Sequence, residues 1–395
     1  MEQTTEKIVV KQEKPARNAA FELLRIIAML FIIAHHFYVH GGFSSISPTN
    51  KALMTFFEFG GKFGVAIFVM ISGYFLVNSK FKIKKLIKLV LQIWFYSVAI
   101  YLILCLCGLT KFTSEDFVWL CFPISNKINH FVTKYIIIFL LSPFINKMLH
   151  ALSQKQHLAL VLVSLGMFTL FKYSIGIKSD LTIFFILYFI GSYLRLHKIP
   201  FKKTKLNYLL LSLAILVVYA IVILVKNFTK MNTYTETNLL MILLATLVMF
   251  LFEQFEIKSK AINFIATTTF GIYLIHDHYY LTHVLWDNIF ANASFGLSPY
   301  LFLYGIFAVV MVFVCGGIID LFRQYCIERP LFSLLDKIKF KKKATPSAVV
   351  IEETKDTTPT IAIEEAKEVT LAETPATKEK TVKKKTKKSS SEEQK

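Results

Sequence analysis

Apolar stretches of about the length of a membrane span recur along most of this 395-residue chain, separated by short segments that carry lysine. The hydrocarbon core of a bilayer is about 30 Å thick and offers backbone groups no partner, so a crossing helix needs about 20 largely apolar residues. Ten stretches meet that description: 20–40, 63–79, 88–108, 132–149, 157–173, 180–195, 207–226, 237–253, 263–286 and 299–322. The second and fourth are short or interrupted. The expected fold class is all-α, a polytopic membrane protein of about ten transmembrane helices with no fused soluble domain.

Charge sets the topology. Only 18% of residues are charged, against 55% hydrophobic, whereas soluble domains carry roughly a quarter charged residues. That balance excludes a soluble enzyme and a disordered protein. The five cysteines form no C-x-x-C pair and no Cys/His ligand spacing, so neither a disulfide framework nor a zinc site is expected. The net charge of +19 invites a nucleic-acid reading. Its distribution instead fits the positive-inside rule, by which cytoplasmic loops hold the lysine and arginine. With the N-terminus inside, the cytoplasmic segments hold 25 Lys+Arg and the opposite ones 9. Both termini are therefore expected in the cytoplasm, with no nucleic-acid partner. Three regions follow: a polar segment 1–19, read as cytoplasmic and not as a signal peptide; a membrane domain 20–335; and a Lys/Glu/Thr-rich tail 341–395. The tail has too few apolar residues to fold alone and is expected to be disordered.

Chemistry concentrates in the first apolar stretch. It opens with Glu22-Leu-Leu-Arg25 and closes with His35-His36. Of the five arginines, only Arg25 falls outside the expected cytoplasmic segments and within a span. Eleven residues separate Arg25 from His36, close to three helical turns, so the two share a face about 16 Å apart along the axis. Glu22 shares that face, and His35 points away from it. Ionisable groups within a span are costly and usually meet a cavity or a partner. The plainer alternatives are Arg25 reaching for the membrane surface beside Glu22, and His36 as a hydrogen-bonded core histidine. A second cluster, Tyr273-Leu-Ile-His276-Asp277-His278, places His276 at about the depth of His36. His276 and His278 are two residues apart, a spacing wrong for a helical metal site. Asp277, His278 and His283 read as markers of the outer boundary. Ser72-Gly73-Tyr74 reads first as close helix packing.

Taken together, these residues resemble acyltransferase family 3, the ten-helix O-acyltransferases of bacterial surface polysaccharides. The resemblance rests on Arg25-x10-His36, Phe68-x3-Ser72-Gly73-Tyr74, Tyr273-x2-His276 and Glu328-Arg329-Pro330, and covers about 20–335. Tyr135 and Leu140-Leu-Ser-Pro143-Phe-Ile-Asn146 are similar to the subgroup found in Gram-positive capsule and exopolysaccharide loci. In two places the chain departs from the family's pattern. Glu22 or a neighbour stands where the family often has Asp, and Asp277-His278 follows the later histidine where Pro is common.

The resemblance implies a bacterial plasma-membrane enzyme. It would move an acyl group, most often acetyl, from acetyl-CoA or another acyl-CoA to a hydroxyl of a cell-surface or lipid-linked polysaccharide. Acyl-CoA is then a co-substrate, with no bound cofactor and no metal. Arg25 and His36 become the candidate catalytic residues, His36 as general base or as transient acyl carrier. Glu22, His35, Ser72, Tyr273, His276 and Glu328 become candidates for binding substrate or acyl-CoA. Partners would be the acyl donor, the glycan acceptor, membrane lipids and separate cell-surface biosynthesis proteins. The alternative from another class is a polysaccharide or lipid-linked sugar exporter. It would call for paired broken helices in two related halves, a pairing the sequence does not display.

Overall fold

The computed structural model describes residues 18–124, 130–174, 180–229 and 239–339. The readings of most of the N-terminal segment and of the tail 341–395 lie outside those residues. Among the described residues every regular element is helical. The first helices are α1 (Ala20–Val39), α2 (Pro48–Leu76), α3 (Ile83–Leu106), a short α4 (Ser114–Cys121) and α5 (His130–Ala151). They are followed by α6 (Gln154–Ser174), α7 (Asp180–Leu196), α8 (Lys205–Thr229) and α9 (Leu239–Glu253). Six helices among the described residues are long and apolar enough to cross a membrane, and α7 and α9 are shorter apolar helices. The protein is an all-α polytopic membrane protein.

Two expected boundaries are corrected. The second apolar stretch was expected to begin at 63, yet α2 begins fifteen residues earlier and runs for 29 residues. Lys51, Glu58 and Lys62 dilute the hydropathy there, while local chemistry starts a helix. The Ser47 hydroxyl accepts from the Asn50 amide at 3.2 Å, and Pro48 occupies the first turn, where its missing N–H costs nothing. The Asn50 side chain then donates to the carbonyls of Gly296 and Ser298.

The ninth stretch, expected as one helix over 263–286, is broken. It comprises α10 (Lys260–Ala266), α11 (Thr269–His276), α12 (Tyr279–His283) and a π-turn at Val284–Ile289. At the first break, Thr267 and Thr268 turn their hydroxyls back to the carbonyls of Phe264 and Ile265. At the second, His278 is extended and its ring bonds the Ser97 carbonyl of α3. The threonine hydroxyls thus supply donors that an unbroken ladder would have provided, and the His278 ring ties the second break to α3. The last apolar stretch forms α13 (Leu301–Phe322). It passes through a π-turn at Arg323–Glu328 into α14 (Arg329–Lys339).

Helix α2 lies between α1 and α7. Its contact with α7 depends on two glycines: a Cβ at Gly73 would overlap the Tyr188 carbonyl, and one at Gly191 would overlap the Met70 carbonyl. Backbone cannot rotate out of the way as a side chain can, so small residues are required for this approach. Gly191→Val is therefore expected to destabilise the bundle by about 1–3 kcal/mol or more, the usual penalty of overpacking. Gly166→Ala, where a Cβ meets nothing within 4 Å, is the control. Thermal midpoints of the two purified variants in one detergent check this, and equal midpoints would refute it. By contrast, the span in α8 is only 6% buried, and Leu209, Leu213 and Leu216 on it are exposed. That apolar surface suits lipid.

Candidate functional site

The broken stretch α10–α12 runs beside α1, and polar groups gather where the two meet at either end. At the start of α1, Asn18 holds the chain to the segment after α9: its side-chain oxygen accepts from the amides of Ala20 and Ile257. Glu22, 2% exposed, is ion-paired with Arg25. The pair lines a cavity of about 410 Å³. Ser72 of α2, Lys85 and Lys88 of α3, and Asn263 and Thr267 near α10 also reach it. The Ser72 hydroxyl donates to the Phe68 carbonyl one turn back, at 2.9 Å, so its proton is already engaged.

The inner wall of the cavity is aromatic, formed by Phe131 and Tyr135 of α5 and Phe270 of α11. Tyr273 continues this cluster beyond the cavity. Its ring lies 5.1 Å from Phe131 and 6.1 Å from the ring of His276. The aromatic group therefore stands between the Arg25 end and the histidine end.

At the far end of α1, the rings of His36 and His276 are 5.1 Å apart, and those of His36 and His40 are 5.3 Å apart. Asp277 approaches His36 Nδ1 to 3.6 Å. Its carboxylate also interacts with the Tyr273 hydroxyl. His276 Nδ1 lies 2.6 Å from the Ile272 carbonyl. A carbonyl only accepts, so Nδ1 carries the proton and the lone pair of the neutral ring is on Nε2. Both His276 Nε2 and His36 Nδ1 are buried without a hydrogen-bond partner. Packing fixes the helix end that carries them: Asn292 donates to the Phe37 carbonyl, and Trp286 meets the Phe37 ring edge-on. His40, just beyond the span, is held below its usual pKa by burial, against the opposing pull of Asp277.

The expected site residues thus fall into separate groups. Arg25, Glu22 and Ser72 line the cavity; His36 and His276 meet at the other end, with Tyr273 between. His35 turns to α2, where Nδ1 donates to the Glu58 carbonyl at 2.8 Å. Glu328 pairs with Lys88 and Arg323. Asn146 of the Leu140–Asn146 motif has a packing role, donating to the Leu76 carbonyl at the end of α2 and accepting from Tyr188. Asp277, expected as a boundary marker, ends α11 and also lies beside His36, a contact that sequence reading did not anticipate. One signal was available: it adjoins His276, already placed at the depth of His36.

His36, His40 and Asp277 also offer possible metal-ligand atoms within 4.8 Å of one another.

A family model described as an acyltransferase domain matches residues 18–319. Searches of curated proteins and of solved structures returned no match.

Proposed function

Given that the chain belongs to acyltransferase family 3 through a match over 18–319, and so is a membrane acyltransferase, we propose that it transfers an acyl group, most simply acetyl, from acyl-CoA to a hydroxyl of a cell-surface or lipid-linked glycan. The observation that carries this reading is the pairing of a cation-lined cavity at Arg25 with a histidine cluster at the other end of the same helix. An acyl-CoA has the same division: anionic phosphates at one end, a neutral thioester at the other, and a thin flexible arm between. Arg25, Lys85 and Lys88 suit the phosphates. The aromatic group of Phe131, Phe270 and Tyr273 suits the passage of the arm and excludes water.

In this mechanism His36 is the general base, with Nδ1–H turned to Asp277 and the Nε2 lone pair toward the acceptor hydroxyl. Their 3.6 Å separation is long, and such bonds commonly tighten only when substrate is bound. As His36 removes the hydroxyl proton, the oxygen attacks the thioester carbonyl, and Asp277 stabilises the imidazolium that forms. The C–S bond then breaks, an ester is left on the acceptor, and the proton passes from His36 to the departing thiolate. His276 Nε2 accepts a hydrogen bond from the acceptor and orients it. The lysine-rich side, with Arg25, faces the cytoplasm of a bacterial cell, where acyl-CoA is made, and both termini lie on that side.

The test is transfer of radiolabel from acetyl-CoA to glycan in membranes carrying the full chain. Label in the glycan with the unaltered protein only, and not with His36→Ala, is the expected result. Movement of glycan across the membrane without any need for acyl-CoA would overturn it. Arg25→Ala should raise the KM for acyl-CoA roughly 10-fold or more, the loss expected for one charge-assisted bond. It should lower kcat far less, and an unchanged KM would remove Arg25 from the donor site.

A further inference from the structure

One buried network enters the chemistry above only through Lys88. Asp320 of α13 is fully buried, and it collects bonds from two other segments, α3 and the π-turn at Arg323–Glu328. The Tyr96 hydroxyl of α3 donates to it at 2.7 Å, Arg323 Nε at 2.9 Å and Gln324 Nε2 at 2.7 Å. Arg323 extends the chain, donating from Nη1 to Glu328 at 2.6 Å. The other carboxylate oxygen of Glu328 is ion-paired with Lys88 of α3. Lys88 and Gln92 both line the cavity, and Gln92 also reaches Asp320.

Backbone geometry makes this possible. Arg323 and Glu328 are five residues apart, which on an α-helix would set them about 140° apart. The π-turn over Arg323–Glu328 closes its hydrogen bonds five residues apart and so turns the two side chains toward the same side. Pro330, just beyond, has no N–H to contribute to an α-helical ladder, which favours a local departure from it. Glu328 is 8% exposed, whereas the Lys88 side chain is half exposed at the cavity. The anion is therefore the buried, anchored member of the pair, and the cation is the one offered to the cavity. A buried glutamate so placed would repel a phosphate if it acted directly. Its effect on an anionic ligand must run through Lys88.

We propose that Glu328 is a positioning residue: anchored by Arg323 and Asp320, it holds the Lys88 ammonium at the cavity wall, where it binds a phosphate group of the acyl donor. This rests on the reading of the cavity as the acyl-CoA site. Two of the three donor protons of Lys88 remain available to a ligand while the third is engaged by Glu328. Fixing a long, flexible side chain in advance lowers the ordering cost of binding.

The test uses the purified full chain in lipid nanodiscs with two donors, acetyl-CoA and acetyl-pantetheine, which lacks the phosphates. The unaltered protein should favour acetyl-CoA through KM. Glu328→Gln keeps the shape and removes the charge. It should raise the KM for acetyl-CoA about tenfold, the loss of one charge-assisted bond. It should leave kcat within about twofold on the same grounds, and acetyl-pantetheine should be used as before. Lys88→Ala should do the same, and the double variant should be no worse than the worse single one. A merely structural Glu328 would lower turnover with both donors alike, and that result overturns the proposal. So does an unchanged KM in Glu328→Gln beside a raised one in Lys88→Ala. If the unaltered protein does not distinguish the two donors, the acyl-CoA reading of the cavity fails, and this proposal with it.

Discussion

Replacing His36 by alanine is expected to lower acyl transfer by at least about 100-fold, the usual contribution of a positioned general base. The fold should barely notice. His36 Nδ1 makes no hydrogen bond with the protein, and Asp277, 3.6 Å away, keeps its interaction with Tyr273 when the ring is removed. The helix end is held independently by Phe37, Trp286 and Asn292. Activity and stability should therefore separate: a large loss of turnover with a thermal midpoint within a few degrees of the unaltered chain. His40→Ala should cost much less, since His40 lies beyond the helix end, at the edge of the cluster, with its ring against that of His36. Radiolabel transfer at matched protein levels, read beside thermal melting, decides the matter. Near-normal transfer by His36→Ala would end the assignment of the base to this residue.

Asp320→Ala should produce the largest loss of stability. Asp320 is wholly buried and answers Arg323, whose side chain is only 6% exposed. Removing one partner of a buried ion pair leaves an uncompensated charge and costs about 3–5 kcal/mol. The Tyr96 hydroxyl and the Gln324 amide lose their acceptor as well. Glu328 still faces Arg323 and softens the loss. Asp320→Asn keeps the shape and one acceptor oxygen, and should fall between alanine and the unaltered chain. The measurement is the thermal midpoint, together with the fraction of protein that elutes as a single species in detergent. Midpoints unchanged in both variants would show that the network is dispensable to the fold.

These two residues illustrate how far the sequence can be read. His36 was legible because it is local: a histidine eleven residues from an arginine on one helix has its relative position set by helical geometry alone. Asp320 was not legible, for it lies in an apolar stretch and draws meaning from Tyr96, 224 positions away. Glu328 was noticed as part of a motif and read as a substrate contact. Its pairing with Lys88 and Arg323 needed the π-turn, for which periodicity gives no signal. Asp277 was read as a boundary because charge next to an apolar stretch usually is one. Three-dimensional packing turned it toward His36.

The sequence by itself determined the class of the molecule, most helix positions and the polar ends of α1. These follow from summed hydropathy over some twenty residues and from a fixed helical repeat, both local properties of the chain. Only the tertiary structure decided where α2 begins, that the ninth stretch is broken, and which charges neutralise one another. A hydropathy window counts every charged or hydroxyl side chain as a cost. Whether that cost is cancelled depends on a partner carried by another helix, and that partner is present only once the helices have packed.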